Sequence, residues 1–163
     1  MSNTSDYAMK MIGSKEGITK LVSWLCGDEN AEHHFYGIQY NSDINSAELI
    51  PYKDMFTFEV NGRCSVSVAK CMLNQPDTYF VQHSYEEDPK KIDLVSASKE
   101  LGLTIEVFSY EDCCKTSEHI IIEKGNLTTN DVAVDKDLLW NGIGDAYFTI
   151  GVCTDKVEKM SII

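Results

Sequence analysis

The sequence predicts an α+β domain, a sheet on a split β-α-β plan with extra hairpin strands, packed on two helices. Three observations carry that expectation. Apolar residues alternate in several separate short runs, two other stretches place them at helical spacing beside capping residues, and polar or glycine-bearing segments divide one run from the next.

The first strand is expected over Asp6–Gly13. Ser14–Leu25 follows as a helix, with Ser14 as N-cap and Ile18, Leu21, Val22 and Leu25 on one stripe; Cys26 and Gly27 end it, glycine suiting a left-handed C-terminal position. The polar run DENAEHH leads into HFYGIQY, a half-buried strand with Tyr36, Ile38 and Tyr40 on one face. Beyond the loop NSDINSAELIPY, MFTFEV alternates with Phe56, Phe58 and Val60 inward, and Asn61-Gly62 predicts a two-residue hairpin turn. The stretch RCSVSVAKCML fits a strand through Val66 and Val68, or a helix through Val66, Ala69, Lys70 and Leu73; a short helix from near Ser65 is the expectation.

The second main helix is predicted with Asp88 as N-cap and Pro89 at the first helical position. Ile92, Leu94, Val95, Ser98 and Leu101 make its stripes, Gly102 stops it, and Leu103, Ile105 and Val107 form the core side of the next strand. EHIIIEKGNL is a further strand running into a Lys-Gly-Asn turn, which makes SYEDCCKTS a connection between two adjacent strands. LTTNDVAVD can pair back, WNGIG reads as a loop and AYFTIGV as a last strand. Thr154–Ile163 is expected to be a tail that frays or caps.

The 163 residues suit one domain, and 43% apolar with 25% charged residues is the ordinary globular mix. The charge is unusual: 26 acids against 14 bases give −12, and Arg63 is the single arginine. Binding to nucleic acid or an anionic membrane requires clustered Lys/Arg, so the expectation is neither, and a basic protein surface as partner instead. No apolar run in the opening residues has signal-peptide length and no stretch suits a membrane span, so a cytoplasmic location is expected.

The six cysteines at 26, 64, 71, 113, 114 and 153 read as reduced thiols, mostly buried. Neither C-x-x-C nor H-x-x-x-H occurs, so no metal or other cofactor is expected. His33 and His34 could bind metal with Glu32, but a strand would turn one inward and one to solvent, which favours a role in the fold. Gly142–Tyr147, GIGDAY, lacks the third glycine and preceding strand of a dinucleotide loop.

The chemical alternative is a thiol-dependent or metal-assisted enzyme using Cys113 or Cys114, with His119 as base and Glu118 orienting it. Glu111, Asp112 and Glu118 surround that pair with only Lys115 beside them, which disfavours a reactive thiolate. The acidic field itself concentrates in Asp28, Glu29 and Glu32; in Glu86, Glu87 and Asp88; and in Asp131, Asp135 and Asp137. Phe35, Tyr36, Tyr79, Tyr85 and Trp140 are aromatic anchors beside these stretches, Tyr85 adjoining the second.

From MIGSKEGITKLVSWL to KKIDLVSASKELGLTIEVFSYEDCCKTSEHIIIEKGNL, over roughly two-thirds of its length, the chain resembles the YubB-type ferredoxin-like family of uncharacterised phage and plasmid proteins. The resemblance implies a ferredoxin-like fold and a mobile-element origin, and it supplies no catalytic residues. Charge and resemblance together give the expected function: a non-enzymatic binding protein that occupies a basic surface of a nucleic-acid-handling host protein. An anti-CRISPR or other anti-defence inhibitor acting as a nucleic-acid mimic is the form expected, and a homo-oligomer joined through strand edges is the structural alternative.

Overall fold

In a computed structural model of the chain, the described residues are 4–35, 38–41, 48–65, 67–73, 89–113, 115–134 and 147–151. They form an α+β structure: β1 (Thr4–Gly13), α1 (Lys15–Leu25), β2 (Ile38–Asn41), β3 (Ile50–Tyr52), β4 (Met55–Ser65), α2 (Val68–Met72), α3 (Leu94–Leu101), β5 (Thr104–Glu111), β6 (Thr116–Glu123) and β7 (Asn126–Val134). No helix among them is long and apolar enough to cross a membrane.

One sheet holds all the strands in the order β2-β4-β1-β5-β6-β7, with β3 also paired to β4, and every pairing is antiparallel. The first strand of the chain is therefore central, bonded to β4 on one side and β5 on the other. Its alternation sends Tyr7, Met9 and Met11 into the core with Ile18, Leu21, Trp24 and Leu25 of α1 and Leu94 and Ala97 of α3. Val60, Ile105, Val107, Ile120 and Ile122 complete that face of the sheet.

Helix α1 begins as its sequence dictates, the Ser14 hydroxyl accepting from the Gly17 amide at 3.0 Å. Two glycines let it approach the sheet and α3: a Cβ on Gly13 would run into the Leu103 side chain, and one on Gly17 would meet the Leu101 carbonyl at 2.9 Å.

Four expectations are corrected. Asn61-Gly62 makes no turn: β4 runs through both, Asn61 opposite Ala8 and Gly62 opposite Tyr7, and neither takes a positive φ. Ladders on both sides of β4 outweigh the local turn preference, since a break there would orphan backbone groups on two neighbours. Next, the cap of α3 is Asp93, not Asp88: its carboxylate accepts from the Ser96 amide at 2.8 Å and the Ser96 hydroxyl at 3.0 Å, while Pro89 lies in a turn. Third, within AYFTIGV, residues 147–151 are not a strand, because the amides of Thr149 and Ile150 donate to the side chain of Glu106 instead of a ladder. The short helix α2 starts at Val68 rather than near Ser65, which still belongs to β4.

The Lys-Gly-Asn turn stands as expected, with Lys124 and Gly125 at positive φ between β6 and β7. The WNGIG loop and the Thr154–Ile163 tail lie outside the described residues.

Candidate functional site

The first acidic stretch forms a corner where α1 ends. Gly27 turns left-handed at φ 69, and the Asp28 carboxylate then accepts from the Asn30 amide at 3.0 Å. Asp28, Glu29 and Glu32 are all exposed. Chain pairing pins the far side of the corner: the His34 amide donates to the Lys90 carbonyl at 3.1 Å and the Ile92 amide to the His34 carbonyl at 3.3 Å. That stitch brings the corner beside α3, whose Glu100 faces His33 with Oε2 3.5 Å from Nε2. His33 and His34 are both half-buried, rather than one inward and one outward, because the segment holding them forms a single parallel bridge to Lys91 and no alternating strand.

Three positive side chains elsewhere are paired with acids. Arg63 Nε lies 3.0 Å from the Asp6 carboxylate, Lys115 Nζ 2.6 Å from Asp112 and Lys20 Nζ 3.6 Å from Glu16. Among the described residues no lysine or arginine lies within salt-bridge distance of Asp28, Glu29 or Glu32. Of the other acidic candidates, Asp131 is exposed on β7, opposite His119. Tyr85, Glu86, Glu87, Asp88, Asp135 and Asp137 lie outside the described residues.

The thiol alternative maps to the turn between β5 and β6. Cys113 is exposed there, its amide donating to Glu111 at 2.9 Å, and Cys114 lies outside the described residues. Lys115 takes a positive φ of 53 and reaches back to Asp112 and to the Tyr110 hydroxyl. That hydrogen bond holds the Asp112 carboxyl below its ordinary range and, reciprocally, keeps Lys115 charged to higher pH.

The proposed base and orienter do not meet, because neighbours on a strand face opposite sides of the sheet. Glu118 points beneath the helices, where it accepts from the amides of Val68 and Ala69 at 2.9 and 3.1 Å and from the Ser109 hydroxyl at 2.5 Å. It caps α2. His119 lies on the other face, stacked on Phe108 at 4.6 Å, with Nε2 2.8 Å from Glu106. Three rungs separate the His119–Phe108 pair from the Glu111–Thr116 pair beside Cys113, roughly 10 Å along the strand.

Glu106 is the residue that sequence reasoning missed. It sits opposite Lys10, has no exposed surface, and takes donors from His119, both Thr149 groups and Ile150. Its charge thereby holds residues 147–151 across the second face of the sheet. The only sequence signal was a carboxylate inside an otherwise apolar strand run. No known protein family, curated protein or solved structure matches this chain.

Proposed function

We propose that the protein is a non-enzymatic, acidic binding protein of phage or plasmid type that occupies a basic surface on a nucleic-acid-handling host protein, as an anti-CRISPR or other anti-defence inhibitor would. One observation carries the reading: Asp28, Glu29 and Glu32 stay exposed together at the corner after α1, with no lysine or arginine within salt-bridge distance among the described residues. Rigidly held, unneutralised carboxylates can stand where phosphates would, and complementary charge speeds encounter with a basic groove. With this goes the finer fold reading, a ferredoxin-like core of the YubB type. It is supported by the antiparallel order β2-β4-β1-β5 and by helices in the β1-to-β2 and β4-to-β5 connections.

Affinity capture from bacterial lysate at low and high salt, beside a variant carrying Asp28→Lys, Glu29→Lys and Glu32→Lys, tests the function. Retention of a nucleic-acid-binding protein at low salt, its loss at high salt and in the variant, and its displacement by its own nucleic acid are the expected results. Capture that ignores the charge reversal, or no specific capture at all, overturns the reading.

The edge strand favours a second reading, a homo-oligomer. Among the described residues β7 ends the sheet order, with Val132 58% and Val134 55% exposed and Asp131 its single charge. An edge strand with little charge and exposed valines is a template for pairing with another chain. Size-exclusion chromatography of wild type and Val132→Lys separates the two: a dimer mass that collapses in the variant supports assembly, and a monomer in both removes it.

A further inference from the structure

Glu32, His33 and Glu100 place one imidazole nitrogen and two carboxylates so that their ligand atoms all lie within 4.8 Å of one another. The state of the ring follows from its other nitrogen. His33 Nδ1 lies 3.3 Å from the Lys90 carbonyl oxygen, which can only accept, so Nδ1 carries a proton. In the neutral ring Nε2 is then a lone pair facing the Glu100 carboxylate at 3.5 Å. With Glu32 beside them, three such ligand atoms lie together there, a set that a bound cation could bridge.

Several features favour the metal. A backbone carbonyl holding the remote N–H is the usual way a ligating histidine is fixed in tautomer and orientation. The ring also packs edge-on against Trp24, 4.8 Å between centroids, and Trp24 is only 2% exposed. The 3.5 Å separation is near the ~3.3 Å edge of a tetrahedron drawn with zinc bonds of about 2.0–2.1 Å. Finally, two carboxylates lie beside the imidazole, and among the described residues neither has a lysine or arginine within salt-bridge distance.

We propose that Glu32, His33 and Glu100 bind a divalent transition-metal ion of the zinc type, with the remaining coordination open to water. The nitrogen donor distinguishes such an ion from magnesium or calcium, which take oxygen ligands. Bound metal ties the acidic corner to α3 and offsets two of its negative charges. The site shares Glu32 with the surface proposed for the basic partner, so bound metal would lower the charge presented there.

The test is calorimetric titration of the full-length protein with zinc chloride under a non-thiol reductant. It compares wild type, His33→Gln, Glu100→Gln and a Cys26→Ser/Cys113→Ser variant that removes the exposed thiols among the described residues, with circular dichroism checking that each is folded. One ion per chain is expected for wild type and for the serine variant, with affinity weakened about tenfold or more in His33→Gln and in Glu100→Gln. Excess magnesium should not displace the zinc, and lowering the pH should, because protons compete for the imidazole. Absence of zinc binding, affinity unchanged by His33→Gln and Glu100→Gln, or loss of the ion in the serine variant would each overturn the site.

Discussion

Glu106 and Glu118 show how a buried carboxylate can hold parts of a fold that have few contacts of their own. Val68–Met72 is only five residues, too short to stand without help, and Glu118 supplies the acceptor its first amides need. Glu118→Ala removes the acceptor of those amides and of the Ser109 hydroxyl bond. A loss of about 2–4 kcal/mol is expected, read as a lower urea midpoint with an unchanged m-value. Acidic protons matter at the other end of the pH scale. Burial foremost, then the neighbouring thiols of Cys64, Cys26 and Cys71, push the Tyr7 hydroxyl up, and the Cys64 thiol is raised by its hydrogen bond with Cys71 and by burial. Groups whose folded value is raised keep their protons when the unfolded chain releases them, so their contribution is whole below the unfolded values and is lost as pH climbs past them. Stability should fall from about pH 8.5 upward, where ordinary thiols titrate, and more steeply past about pH 10, where tyrosine joins. Urea midpoints across that range test this, and Tyr7→Phe should lessen the second fall.

Elements whose signals are local were legible in the sequence, and those decided by distant neighbours were not. Helix α1 lies where Ser14, its apolar stripe and Gly27 put it, and the hairpin of β6 and β7 turns at Lys124-Gly125 as read. Asn61-Gly62 misled because β1 and β2 both bond β4 there, partners that no short window contains. Asp88-Pro89 misled as the start of α3 because the stitch of residues 90–92 to His34 keeps the chain out of a helix until Asp93 can cap it. The candidate sites follow the same division. Asp28, Glu29 and Glu32 were visible as an acidic run, whereas Glu100 joins His33 only through the packing of the corner on α3. That packing reverses an ordinary helix rule. Glycine to alanine inside a helix normally adds up to about 1 kcal/mol of stability, yet at Gly17 the new methyl would press on the Leu101 carbonyl at 2.9 Å. Gly17→Ala should therefore lower the thermal midpoint, and a rise would show that α1 and α3 can part freely.

Across the whole molecule, the strand order makes the second face of the sheet as consequential as the first. β1 is buried on both sides, Met9 and Met11 under the helices and Lys10 and Ile12 on the face where Glu106 anchors residues 147–151. This double burial was hidden because period-two alternation announces one apolar face and is silent on whether the other is covered. The central place of β1 has a further consequence, in time rather than in space. Its partners are Met55–Ser65 and Thr104–Glu111, so the sheet cannot complete its centre until two widely separated later segments have been made. During synthesis the opening strand must wait, and in the test tube large loops must close before any central ladder rewards them. Refolding from urea should accordingly take milliseconds to seconds rather than microseconds, as followed by stopped-flow fluorescence. A microsecond phase carrying the full amplitude would mean that the sheet assembles from some other nucleus.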